Sequence, residues 1–173
     1  MEESLYIRPE SALWIIILLI IFPVLCALFF SKILKKNLVK SVVSTLLICL
    51  FFTAIFIHNI NSSFTSLTEG VLTLKGPFNK YSWTILTSEI NDIKYFEKTP
   101  SHLKGAVKKN GILIKGLKIG YFSNKGIVTR YLYLGGSFCI VKSKKIDYIF
   151  SCKRQTFKKY LEEIDNEKNR EKS

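Results

Sequence analysis

Two long uncharged apolar runs, separated by ten residues, set the terms for everything else in this chain. The first, residues 12–30, reads ALWIIILLIIFPVLCALFF. As a helix it extends roughly 28 Å, close to the ~30 Å hydrocarbon core of a bilayer. The second, residues 41–57, reads SVVSTLLICLFFTAIFI and is nearer the lower length limit. A helix buried in a globular core keeps a polar stripe, and the first run has none. A cleavable secretory signal is also a poor fit. It wants a basic start, a shorter apolar region and small residues at its end, whereas this chain opens with Glu2 and Glu3 and closes the run with Phe29 and Phe30. The expectation is a membrane hairpin of two helices, 12–30 and 41–60, with an N-terminal segment 1–11 and a basic loop 31–40. Pro23 lies inside the first helix, where membrane helices tolerate a kink. Trp14 suits an interfacial anchor.

The basic loop predicts an orientation. Lys32, Lys35, Lys36 and Lys40 lie between the runs, while the first eleven residues hold Arg8 against Glu2, Glu3 and Glu10. Short basic loops stay cytoplasmic, which sends both termini and the soluble part outward. The alternative is a basic domain facing the cytoplasm, because the chain carries a formal net charge of +13 and most of the excess follows Lys75. Such a domain beside a bilayer has anionic head groups as a natural partner, at ~1 kcal/mol per Lys or Arg near the surface. Nucleic acid, the other common polyanion, is not expected, since no recognition-module signature is present.

The part beyond the runs, residues 61–165, is long enough for one domain with its own core. Short alternating segments predict strands over 70–75, 81–85, 90–96, 127–134, 138–142 and 148–151. The stretch 99–126 contains Gly105, Gly111, Gly116, Gly120 and Gly126. It reads as a long loop of the kind that often binds a partner, with 112–114 as a strand candidate. Phe157, Tyr160, Leu161 and Ile164 fall at i, i+3, i+4 and i+7, one face of a closing helix opposite Lys158, Lys159, Glu162 and Glu163. The tail 166–173 is polar enough to fray. The expected fold is therefore a two-helix membrane hairpin followed by a mainly-β domain. Its curved antiparallel sheet would have about six or seven strands and one C-terminal amphipathic helix.

Three quoted segments carry a family resemblance over residues 66–164: YSWTILTSEINDIKYF, the glycine-rich GLKIGYFSNKGIVTRYLYLG, and FCIVKSKKIDYIFSCKRQTFKKYLEEI with Phe157 as the helix anchor. Together they resemble bacterial pleckstrin-homology-like (PH-like) domains found behind membrane spans. The resemblance implies a binding or scaffolding module, and some membrane-anchored relatives of that kind are linked to self-immunity against secreted peptides. It brings no catalytic residue and no cofactor.

Enzymatic chemistry finds little support in the residues themselves. His102 is the one histidine in the part beyond residue 60 and sits in a loop, Glu89 and Asp92 fit a strand entry, and the glycine spacings match no phosphate loop. The four cysteines form no metal pattern, and Cys26 and Cys49 lie within the apolar runs. Cys139 and Cys152 are thirteen apart. A hairpin loop at 144–147 makes them direct cross-strand neighbours and disulfide candidates, a two-residue loop offsets them, and an odd loop sends them to opposite faces. Core packing alone also explains Cys139.

The candidate contact surface is then Lys75 and Lys80 around the first turn, with Lys108, Lys109, Lys115 and Lys118 along the glycine-rich stretch. The leading expectation is a non-enzymatic, membrane-anchored PH-like module acting on a protein, a peptide or lipid head groups. The alternatives are a structural subunit of a membrane complex, whose second helix packs through Ser44, Thr45 and Cys49, and an immunity or regulatory protein against a membrane-active peptide.

Overall fold

The computed structural model describes residues 2–33, 37–98, 105–124, 126–144 and 146–170. Lys35, Lys36, His102 and Lys104 lie outside them, as do 171–173.

Two helical rods come first. One consists of α1 (Pro9–Ile16), a π-helical turn (Ile17–Ile21) and α2 (Phe22–Ile33). The other is α3 (Leu38–Asn61). The π turn sits immediately before Pro23, with the Phe22 N–H bonded to the Ile17 carbonyl. Proline lacks an N–H and its ring crowds the carbonyl four residues back, so a widened turn upstream accommodates it. Both rods are long and apolar enough to cross a membrane, and only 6% of the most apolar window of each is buried inside the protein. A core helix of a soluble domain would be mostly covered. Leu25, Phe29, Leu47 and Phe51 instead stand exposed.

The rest of the described chain is a mainly-β domain in two sheets closed by a C-terminal helix. Strands β1 (Glu2–Ser4), β2 (Phe64–Thr68), β3 (Val71–Lys75) and β4 (Ser82–Leu86) form one antiparallel sheet in that order. Strands β5 (Ile90–Phe96), β6 (Val107–Ile114), β7 (Leu117–Asn124), β8 (Ile127–Tyr133), β9 (Phe138–Ser143) and β10 (Asp147–Ser151) form the other, in the order β5-β9-β10-β8-β7-β6. The pairing of β10 with β8 is parallel. So the domain has ten strands among the described residues, not six or seven, and two sheets in place of one.

Two differences from the sequence expectation have clear physical causes. The segment preceding the first helix is not a free end. Glu2, Glu3 and Ser4 pair with Ser66, Thr65 and Phe64, so the chain adds a strand to the domain before entering the hairpin and returns to it afterwards. Nor is the described part of the glycine-rich stretch a long loop. It is the hairpin β6–β7, in which Gly111 and Gly120 face each other across the strands at φ +150° and +114°. A Cβ at either glycine would strike the opposite backbone, so these residues allow close strand approach. Gly120 also leaves room for the Tyr81 ring from the other sheet.

The main core lies between the sheets and against α4 (Arg154–Arg170), and includes Leu67, Leu72, Leu74, Trp83, Ile93, Leu132, Phe150 and Tyr160. It continues into the rods through the fully buried Ile15 and Ile60. Alternate side chains of β7–β10, Phe122, Tyr131, Phe138, Ile140 and Ile149, form a second buried cluster on the opposite sheet face. On α4, Tyr160 and Ile164 are buried and Phe157 is half-buried against Tyr95, but Leu161 is exposed. Residues 166–170 continue the helix, where Glu167 pairs with Arg170 at 3.1 Å.

Candidate functional site

The six lysines singled out above do not form one surface. Two turns carry Lys75, Lys80 and Lys115 to the domain ends of the apolar rods, Lys118 follows on β7, and Lys108 and Lys109 stand at the far end of the β6–β7 hairpin.

The first turn, between β3 and β4, is closed by the Gly76 N–H donating to the Tyr81 carbonyl at 2.8 Å. Pro77–Asn79 make a single 3₁₀ turn in which Phe78 adopts φ 58°, ψ 19°. The Phe78 ring lies 6.1 Å from that of Phe56 on α3 and remains 48% exposed. Lys75 and Lys80 flank it, with Nζ 5.4 Å over the Phe64 ring and 5.9 Å over the Tyr81 ring.

The second turn joins β6 to β7. Gly116, at φ +78°, faces Ser11 so closely that any Cβ would collide with its hydroxyl. Lys115 holds its Nζ 5.4 Å over the Trp14 ring on α1. Lys118, one strand position beyond Leu117, lies over Tyr131 at 5.5 Å and Phe122 at 6.0 Å. Burial there lowers the Lys118 ammonium from its ordinary value and pushes the Tyr131 hydroxyl up to about 12. Lys108 and Lys109 are exposed at the other end of β6, roughly 20 Å away along the strand at ~3.3 Å per residue.

Arg8 adds a further contact that no sequence signal marked. Its side chain lies across Gly135 and Gly136, where a Cβ would meet it at 2.9 Å in each case. This residue thus joins the entry of α1 to the β8–β9 connection. The same connection is held by Ser151, whose Oγ accepts from the Leu134 N–H at 2.8 Å and donates to the Gly135 carbonyl at 3.1 Å.

Cys139 and Cys152 are disulfide-bonded, with Cα atoms 5.8 Å apart. The hairpin loop differs from the one that would set them directly opposite. Lys142 pairs with Asp147, which places Phe150 opposite Cys139, and Cys152 lies diagonally two positions beyond. Parity is preserved, so both sulfurs reach the main core face. The bond pins the end of β10 and the start of α4 to β9.

A cation also sits between the sheets. The Arg130 guanidinium lies 5.3 Å over Tyr148, 5.5 Å over Tyr121 and 5.8 Å over Trp83, and donates to the Tyr148 hydroxyl at 2.8 Å. Trp83 belongs to one sheet and the two tyrosines to the other, so the stack is an inter-sheet pin. Sequence reading missed it, because residues so far apart along the chain carry no shared local pattern.

On the second apolar helix, Ser44 is exposed whereas Thr45 and Cys49 are half-buried. No group of three or more His, Cys, Asp or Glu among the described residues is arranged to hold a metal ion.

Comparison with family models, curated proteins and solved structures finds no match to this chain.

Proposed function

We propose that this protein is a non-enzymatic binding module, anchored by a two-span membrane hairpin, whose β domain lies on the outer membrane surface and engages anionic lipid head groups. The observation that carries this reading is the seating of two lysine-bearing turns against the domain ends of two lipid-length helices: Lys115 over Trp14, and the Lys75–Lys80 turn against Phe56. Lysines at that level stand within a Debye length of the lipid phosphates, with their ammonium groups over aromatic rings. The Cys139–Cys152 bond supports the outward side, since structural disulfides persist in oxidising compartments. So do Lys32 and Lys40 at the opposite ends of the rods.

The PH-like resemblance belongs to this reading. The β domain closed by a C-terminal helix is in keeping with it, and it favours binding over catalysis.

The test is amine footprinting of the full chain in nanodiscs, read by mass spectrometry. In anionic discs at low salt, Lys75, Lys80 and Lys115 acylate several-fold more slowly than in neutral discs, and added salt removes the difference. Lys108 and Lys109 react alike in both. Equal reactivity of all five in the two lipids would contradict head-group engagement.

A further inference from the structure

Phe78 holds a conformation and a position that the β domain alone does not explain. A bulky residue in the left-handed region is a genuine outlier, and this one has Gly76 and Asn79 nearby, residue types that enter that region far more easily. The strained backbone does not serve to bury the ring, which stays half exposed beside Phe56.

The level of Phe56 can be measured from both ends of its helix. The uncharged apolar run of that helix ends at Ile57, with His58 and Asn59 following, so Phe56 stands at the domain-side edge of the run. Counted from Lys40, the last basic residue of the hairpin loop, it lies sixteen residues along. That is about 24 Å into a hydrocarbon layer of ~30 Å. Both counts place Phe56 at or just inside the domain-side edge of the apolar layer. A ring in contact with it on the outside of the helix shares that depth.

We infer that the turn 76–80 is a membrane-inserted loop: the Phe78 ring enters the outer edge of the acyl-chain region, and Lys75 and Lys80 stand on either side at the phosphate level. This inference rests on the reading of the two rods as membrane spans. The occupant of the exposed ring face is lipid, because the helix it leans on leaves Phe51, Phe52 and Ile55 exposed just beyond Phe56. Lys75 and Lys80 then bracket the inserted ring, their ammonium groups 5.4 Å over Phe64 and 5.9 Å over Tyr81. The left-handed turn is what aims the ring away from the domain.

The experiment places a nitroxide at residue 78 (Phe78→Cys) in the full chain, with Cys26→Ala and Cys49→Ala, reconstituted in bilayers. Collision with oxygen and with a water-soluble nickel chelate is compared with labels at Phe51 and at Leu86, which is exposed at the far end of β4. The expected result is an oxygen-rich, nickel-poor label at 78, resembling 51 and unlike 86. A nickel-accessible label at 78 with a protected one at 51 would overturn the inserted loop and leave the membrane anchor standing. Nickel access at both 51 and 78 would overturn both. A second variant, Phe78→Trp, keeps an aromatic ring in the turn, and its added fluorescence is quenched by lipids brominated near the head group. Quenching by aqueous acrylamide instead would contradict insertion.

Discussion

The hydroxyl of Tyr160 donates to Thr65 Oγ1 at 2.9 Å, both groups fully buried, and so ties the closing helix to the first strand after the membrane-length helices. The two residues are 95 apart in the chain. Burial pushes the Tyr160 hydroxyl up to about 12 despite the opposing hydrogen bond with Thr65.

That shift predicts alkaline sensitivity. In the unfolded chain a tyrosine releases its proton near 10, whereas folded Tyr160 keeps it to about 12. The folded state therefore holds more protons in that window, and stability is lost as pH rises through it. At ~1.4 kcal/mol per unit the loss approaches about 2–3 kcal/mol. Tyr160→Phe should cost about 1–2 kcal/mol at neutral pH, since Thr65 loses its buried partner. Its stability should also fall less steeply between pH 10 and 12, with the remaining slope owed in part to Tyr131. Denaturant melts at stepped pH measure both effects. Parallel curves for the two proteins would contradict the assignment.

The disulfide makes a second prediction. Cys139 and Cys152 close a short loop at the junction of β9, β10 and α4, for which a contribution of about 3 kcal/mol is typical. Reduction, or Cys139→Ala with Cys152→Ala, should lower stability by that order. The native protein should be two hydrogens lighter than the reduced one, with the difference mapped to these cysteines. Two free thiols in protein purified without reductant would contradict the bond.

Strand β1 makes a third. Because Glu2–Ser4 pair with Phe64–Ser66, a fragment beginning at residue 61 lacks one edge of its four-stranded sheet. It also loses Leu5 and Ile15 from the core. Such a fragment should melt well below the full chain, with amide exchange in β2 accelerated most. Equal protection of β2 in the two would show that β1 is dispensable.

Much of this architecture was legible in the sequence because it is written in local periodicity. The apolar runs, the strands near 71–75, 82–86, 90–96, 127–133, 138–143 and 147–151, and the buried Tyr160 and Ile164 all come from spacing within a few residues. What was not legible depends on distant partners. Glu2–Ser4 is too short to signal a strand until Phe64–Ser66 is beside it. Gly111 and Gly120 look like loop residues until they face each other. The lysines read as one basic stretch, but strand geometry sends Lys115 to Trp14 and Lys108 to the other end of the hairpin. Phe78 gave no signal at all, since its left-handed backbone and its contact with Phe56 appear only in three dimensions.

The side of the membrane on which the β domain stands decides more of this account than any other single fact. A cysteine at Asn169, exposed near the end of α4, reports it in the full chain with Cys26→Ala and Cys49→Ala, the remaining two cysteines being bonded to each other. Intact cells are treated with a membrane-impermeant maleimide. Asn169→Cys should label in intact cells to nearly the extent seen after permeabilisation. Labelling that appears only once the cells are permeabilised would place the domain inside and contradict the outward reading.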